Sequence, residues 1–134
     1  MSDVASDFLK AVRAALIADA TANGLLAGRV YSDWSSGDTF PLARMSIPVL
    51  ADWEDDCGHG TEADVRVHCF AQSVTGRHAL ANAVRNALDE AALALDSNAL
   101  LWLDYVQTIN ASDPDDPTVH MAVVRFTAVA AVSP

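Results

Sequence analysis

With 134 residues and 14.2 kDa, the chain has material for about one domain, and its 51% hydrophobic and 19% charged residues supply a core, which argues against disorder. Eighteen acidic against eight basic residues give a formal charge of -10 and a pI near 4.4, which excludes a primary role in gripping nucleic acid phosphates or an anionic membrane. Ser2, Asp3, Ser6 and Asp7 interrupt the first ten residues and no apolar run approaches the ~20 residues of a membrane span, so a soluble chain without an export signal is expected, and two cysteines, Cys57 and Cys69, suit cytoplasmic folding.

From Asp3 to Asp19, Val4, Phe8, Val12, Ala15, Leu16 and Ala20 recur at spacings of three and four behind a Ser2 or Asp3 cap, which predicts an amphipathic helix. Asn23, Gly24 and Gly28 are expected to stop it, because both residue types tolerate the left-handed backbone of a helix end. Arg29, Val30 and Tyr31 read as a short strand, followed by a polar loop from Ser32 to Thr39 that closes at Phe40-Pro41. Leu42 to Trp53 mixes apolar and polar residues near period two, and Pro48, which cannot donate to a ladder, belongs on an edge or at a bulge. Gly58-His59-Gly60 is expected to turn the chain into a second hairpin strand. From Glu62 to Ala71 that strand sets Val65, Val67, Cys69 and Ala71 against Asp64, Arg66, His68 and Phe70 on the other face.

Gly76 to Leu95 places Leu80, Ala83, Val84, Ala87, Leu88 and Ala91 on one stripe, an Ala-rich helix able to lie close on a sheet. Two last strands, Leu100 to Ile109 and Thr118 to Val129, flank the acidic turn-forming loop Asn110 to Pro117. Helix, strands, helix, strands in one short chain predict an α+β fold, a largely antiparallel sheet with two helices packed on one face. No repeat, low-complexity tract or linker marks a second domain, so residues 1–134 are expected to form one.

Chemistry is sparse. Cys57, His59, His68 and Cys69 bracket the hairpin and are the best metal candidates, zinc being held by four such groups. Their spacing is unlike paired zinc knuckles, and adjacent His68 and Cys69 on a strand point to opposite faces; the expectation is no metal site. The acid runs Glu54-Asp55-Asp56 and Asp113-Pro114-Asp115-Asp116 offer general acid-base pairs or cation ligands, but lack the EF-hand pattern and read as solvated turns. There is no G-x-S-x-G elbow, P-loop or dinucleotide fingerprint, hence no catalytic residue and no cofactor is assigned. Trp34, Trp53 and Trp102 read as core or subunit-interface anchors rather than a ligand platform.

The least generic stretches are an N-terminal helix running into "LLAGRVYSD", then "FPLARMSIP", then "DWEDDCGHGTEADVRVHCFAQSVTGRHALANAVRNALDEA". In this order they resemble the small tail-completion or tail-terminator proteins of long-tailed bacteriophages, also found in prophages and gene-transfer-agent particles. The likeness runs from about Val4 to Val129 and is most diagnostic from Trp53 to Leu88, where the acidic hairpin with its Gly-x-Gly-Thr-Glu sequence leads into a strand ending in Phe-Ala-Gln-Ser.

The resemblance implies a small α+β domain that caps the finished tail tube as a ring, commonly a hexamer, and presents the surface joining tail to head. It implies a virion protein at the head-proximal end of the tail, assembled in the bacterial host cytoplasm. Its partners would be its own copies, the tail tube protein and a head-completion or connector protein, with DNA passing through unbound and no membrane. No catalytic residue comes with it. Long loops and aromatic positions that the helix and strand pattern does not need make Asp33, Trp34, Phe40, Trp53, Asp113, Asp115 and Asp116 the expected ring or tail contacts. Two alternatives are another head-tail connector or tail-tube component, separable by stoichiometry and binding order, and a small cytoplasmic enzyme or ligand-binding domain, separable by a monomer or dimer with a defined pocket.

Overall fold

Phe8, Ala11, Val12 and Leu16 fall on one face of a helix and are buried together, and they draw helix α1 (Val4–Ala18) onto the rest of the molecule. The structure, a computed structural model, describes residues 4–32, 39–55, 58–89, 93, 95, 98–112 and 118–132. The first helix ends at Ala18, beside the expected Asp19, but the stretch from Ala22 to Gly28 expected to stop it is itself helical as far as Leu26. A second helix, α2 (Ala20–Leu26), follows at once because Asp19 takes an extended backbone and its carboxylate accepts from the Thr21 and Ala22 amides, at 3.1 and 2.9 Å. Ala22 and Leu26, four apart, bury their side chains in the core, which offsets the cost of Gly24 inside the helix. The stop comes later: Ala27 and Gly28 have φ of 50° and 81°, and the Asn23 side-chain oxygen accepts from the Gly28 amide at 3.0 Å.

The strands are β1 (Val30–Tyr31), β2 (Leu42–Asp55), β3 (Gly58–Ala71), β4 (Asn98–Ser112) and β5 (His120–Val132), with helix α3 (Val74–Leu88) between β3 and β4. There are thus three described helices where two were expected. The sheet order is β1-β2-β3-β5-β4; β1 runs parallel to β2 and the other neighbours are antiparallel. Gly58-His59-Gly60 is not the hairpin turn: Asp55 pairs with Gly58, Glu54 with His59 and Trp53 with Gly60, so all three residues belong to the ladder. The irregularity between Ser46 and Val49 brackets Pro48, the bulge that its missing N–H demanded.

Helix α3 begins at Val74 behind Ser73, whose hydroxyl accepts from the Gly76 amide at 2.9 Å. It ends at Leu88 and not Leu95, because Asp89 adopts an extended backbone and its carboxylate accepts from the Tyr105 amide of β4 at 3.2 Å. Leu80, Ala81, Ala83, Val84 and Leu88 are its buried residues. They join Ala63, Val65, Val67 and Cys69 of β3 and Ala122, Val124, Phe126, Ala128 and Ala130 of β5 in the main core. Alternation does the sorting, since only every second strand residue can face the helices. The small residues on both sides let helix and sheet lie close. A second, small cluster of Leu42, Phe70 and Val119, with Phe40 against it, lies apart from the main core.

Candidate functional site

The strand residues that turn away from the main core form rows across the sheet, read from the register: Ser46-Arg66-Arg125-Gln107, and Asp64-Thr127-Asp104 beside it. Arg66 stands directly opposite Arg125, an unfavourable pairing of like charges. Asp64, two residues along β3 and so on the same face, resolves it: its Oδ2 accepts from Arg66 Nε and Nη2 at 3.1 and 2.9 Å and from Arg125 Nη2 at 3.2 Å. Burial alone would raise the Asp64 pKa, but the hydrogen bonds and charges of the two arginines outweigh it and hold the carboxyl below its ordinary value. Next in line, His68 Nε2 lies 3.3 Å from Ser46 Oγ, and burial, then the Arg66 charge, holds its pKa below the ordinary value. Arg44 lies over the Phe70 ring at 5.2 Å.

The network braces β3 against β5. Asp64→Asn is expected to lower stability by about 1–2 kcal/mol at neutral pH, because a charge-assisted bond is lost and two arginines remain face to face. A carboxyl held below its unfolded pKa of 3.8 stabilises above that value and loses the contribution as pH falls through the folded pKa. The gap between native and Asn proteins in urea titrations should therefore be full at pH 7 and close in acid below 3.8. His68 acts in the same direction: the unfolded state protonates near 6.5 before the folded one, so His68→Gln should flatten the stability loss between pH 7 and 5.

Two of the clefts among the described residues flank the core. One, of 240 Å³, is lined by Leu25, Phe40, Pro41, Ala71, Gln72, Ser73, Gly76 and Leu80. The other, of 330 Å³, lies where α1 passes β2 and is lined by Ser6, Leu9, Lys10, Arg13, Ser32 and Met45. Arg13 donates from Nε to the Val30 carbonyl at 3.2 Å, which ties α1 to β1. Exposed apolar side chains gather on the outer strands: Val49 and Leu50 in β2, Trp102, Val106 and Ile109 in β4. Among the described residues, no strand pairs with the outer side of β4, nor with β2 beyond Arg44.

Of the residues expected to make contacts, Asp33, Trp34, Asp113, Asp115 and Asp116 lie outside the described residues. Trp53 stands in β2 opposite Gly60, its side chain again outside the description. Phe40 is half-buried and divides its ring between the small cluster and the first cleft. Of the metal candidates, Cys57 and the His59 side chain are not described. Cys69 faces the main core, fully buried, with its thiol pushed up to about 12 by burial, while neighbouring His68 faces away from it. Among the described residues no group of three or more His, Cys, Asp or Glu is arranged to hold a metal ion, and no helix is long and apolar enough to cross a membrane.

The Asp64-Arg66-Arg125 network was half legible. Strand alternation put Asp64 and Arg66 on one face, but Arg125 joins them only through the β3-β5 register, which no local pattern reports. The second cleft was missed entirely, since it needs α1 docked beside Met45.

Comparison with known proteins bears on what such a surface serves. No curated protein matches the chain. Its fold is similar to that of a chain in a structure described as the virion of a native gene transfer agent (GTA) particle, with a TM-score of 0.85 and 23% identity over 98% of this chain and 99% of that one. The family model of tail completion protein gp17 matches residues 10–131, nearly the whole sheet, α2, α3 and α1 from Lys10 onward, and the chain belongs to that family.

Proposed function

We propose that this protein is a structural, non-enzymatic component of a phage or gene-transfer-agent tail, a single domain over residues 1–134 that caps the head-proximal end of the tail tube as a ring of about six copies and offers the surface for joining the head. The observation that carries the reading is the tail completion family match over residues 10–131. The residues support it: among the described residues an arginine-carboxylate network braces the sheet, and exposed apolar side chains lie on two different strands, β2 and β4. A ring needs two unlike patches on each copy.

A domain of this length has a radius of gyration of about 14 Å, so six in a ring leave an opening of duplex size. Six copies at -10 each carry about -60 formal charges, and acids facing the opening repel phosphates rather than hold them, as a conduit requires. The partners are further copies, the tail tube protein and a head-completion or connector protein, met after assembly in the host cytoplasm. Asp33, Trp34, Phe40, Trp53, Asp113, Asp115 and Asp116 are the proposed contacts of the ring or the tube.

The test is the mass of the purified protein by light scattering across a concentration series, alone and with purified tail tubes, with imaging of any large species. A closed ring near six subunits, or one formed on tube ends, is the expected result. A monomer that stays monomeric and fails to bind tube ends overturns the reading.

A further inference from the structure

We infer that the copies of the ring join edge to edge, the open half of β4 in one copy adding as an antiparallel strand to the open half of β2 in the next, an inference that rests on the ring reading above. Two stretches of strand edge are open among the described residues. In β2, Pro48 to Asp52 are all exposed, and β1 covers only Ala43 and Arg44 of that edge. In β4, the Asp89 carboxylate takes the Tyr105 amide, so the open stretch runs from Val106 to Ser112, where no described strand pairs on the side away from β5. Val49 and Leu50 on the first edge, Val106 and Ile109 on the second, keep between 45% and 52% of their surface exposed.

A strand edge presents a row of backbone donors and acceptors, and folded proteins blunt such rows with lysine, proline or other charges. From Val106 to Ser112 β4 has no proline, no glycine and no charged residue, and its register on β5 is regular from Gln107 onward. That edge is left able to accept a strand. The β2 edge carries Asp52, with Glu54 and Asp55 after it in the sequence, so two β2 edges would bring like charges together. The uncharged β4 stretch of another copy brings none.

Topology selects the direction. Each of the pairs β2-β3, β3-β5 and β5-β4 is antiparallel, so β2 and β4 run opposite ways within one copy. Rotation about a ring axis keeps the sense of every strand along that axis. The β4 strand of one copy therefore meets β2 of the next antiparallel, the better-bonded arrangement and the one the sheet already uses. Each copy gives one edge and receives the other, the heterologous geometry that closes a ring.

The faces of the strands select the register. Val49 pairs with Asp64, and Ile109 pairs with Val123, itself opposite His68, so Val49 and Ile109 both belong to the face turned away from the main core. Setting one against the other joins two exposed apolar side chains. It slides successive copies by the distance from Asp64 to His68 along β3, about 14 Å, across a width of about 19 Å for β2, β3, β5 and β4 at the usual spacings. The strands then lean about 35° from the ring axis, within the range at which sheets close on themselves.

Cysteine pairing tests this in full-length protein with Cys57→Ser, since Cys69 is buried. Val49→Cys protein is mixed with a tagged Ile109→Cys protein under oxidised glutathione, at a concentration where rings form, or on tube ends if the native ring needs them. A covalent heterodimer is expected from the mixture and none from either protein alone. Separately, Val49→Lys and Ile109→Lys, both at exposed positions and expected to keep the native melting curve by circular dichroism, should each raise the concentration for half-assembly at least tenfold by mass photometry. Rings that form without the heterodimer, or that both lysine variants form as well as the native chain does, overturn the inference and leave the ring standing. So does Ile109→Cys protein that cross-links to itself, the mark of a two-fold β4 pair. A native chain that forms no ring even on tube ends overturns the ring reading, and this contact with it.

Discussion

Phe126→Ala is expected to cost about 3–5 kcal/mol of stability, the range for truncating a fully buried aromatic ring. Phe126 has no exposed surface and sits in β5, between β3 and β4, opposite Val65 on one side and Tyr105 on the other. Its ring meets that of Tyr105 edge to face at 6.0 Å and 73°, an arrangement worth about 0.5–1.5 kcal/mol beyond area burial. Tyr105 cannot move in to close the void. Its hydroxyl is held 2.7 Å from Thr108 Oγ1, and its face lies under Arg85. The thermal midpoint should drop by roughly 10–18 °C at the usual unfolding entropy per residue, measurable by circular dichroism. Phe126→Leu, which keeps most of the volume, should lose about a third of that. A drop in the alanine variant of only a degree or two would mean that the sheet collapses around the cavity, contrary to the anchoring of Tyr105.

That the sheet centre would hold Phe126 was legible only in part. Alternation in β3 correctly put Val65, Val67 and Cys69 together, because a period of two is a local property and burial follows from it. The insertion of β5 between β3 and β4 has no local signature; both candidate strands read alike, and only the α3 crossover together with side-chain packing decides the order. Errors at element ends share one cause. Asp19 does end the first helix but also caps a second that was not expected, and Glu90 to Leu95 read as helix while Asp89 leaves the helix to bond Tyr105. In each case a carboxylate accepting backbone amides outweighed propensity, as local side-chain bonds do at boundaries. The acidic run Glu54-Asp55-Asp56, by contrast, was visible as sequence, and what the sequence withheld was the cleft beside α1, whose lining comes from α1, Ser32 and β2, separate segments of the chain.

Phe8→Ala is expected to match the first variant in energy, about 3–5 kcal/mol, but to spend it differently. Phe8 is fully buried at the start of the α1 apolar stripe, and α1 reaches the sheet through β1 and β2 at its margin while packing on α2 and α3. A lesion there is expected to raise local opening of α1 before global unfolding, since elements of a fold open at different free energies. Amide exchange of residues 8–18 should speed up by at least tenfold while the β3 and β5 amides keep most of their protection; uniform acceleration along the chain would mean that α1 belongs to the same cooperative unit as the sheet. Lys10 and Arg13 ride on this helix, and the Arg13 bond to Val30 cannot hold it alone, a single such bond being worth about 1.5–3 kcal/mol at most. Loosening α1 therefore takes apart the cleft that it forms with Met45. Phe8→Ala should expose α1 to exchange at temperatures where circular dichroism still shows a folded sheet, whereas Phe126→Ala, with α1 seated, should lose helix and sheet signals together.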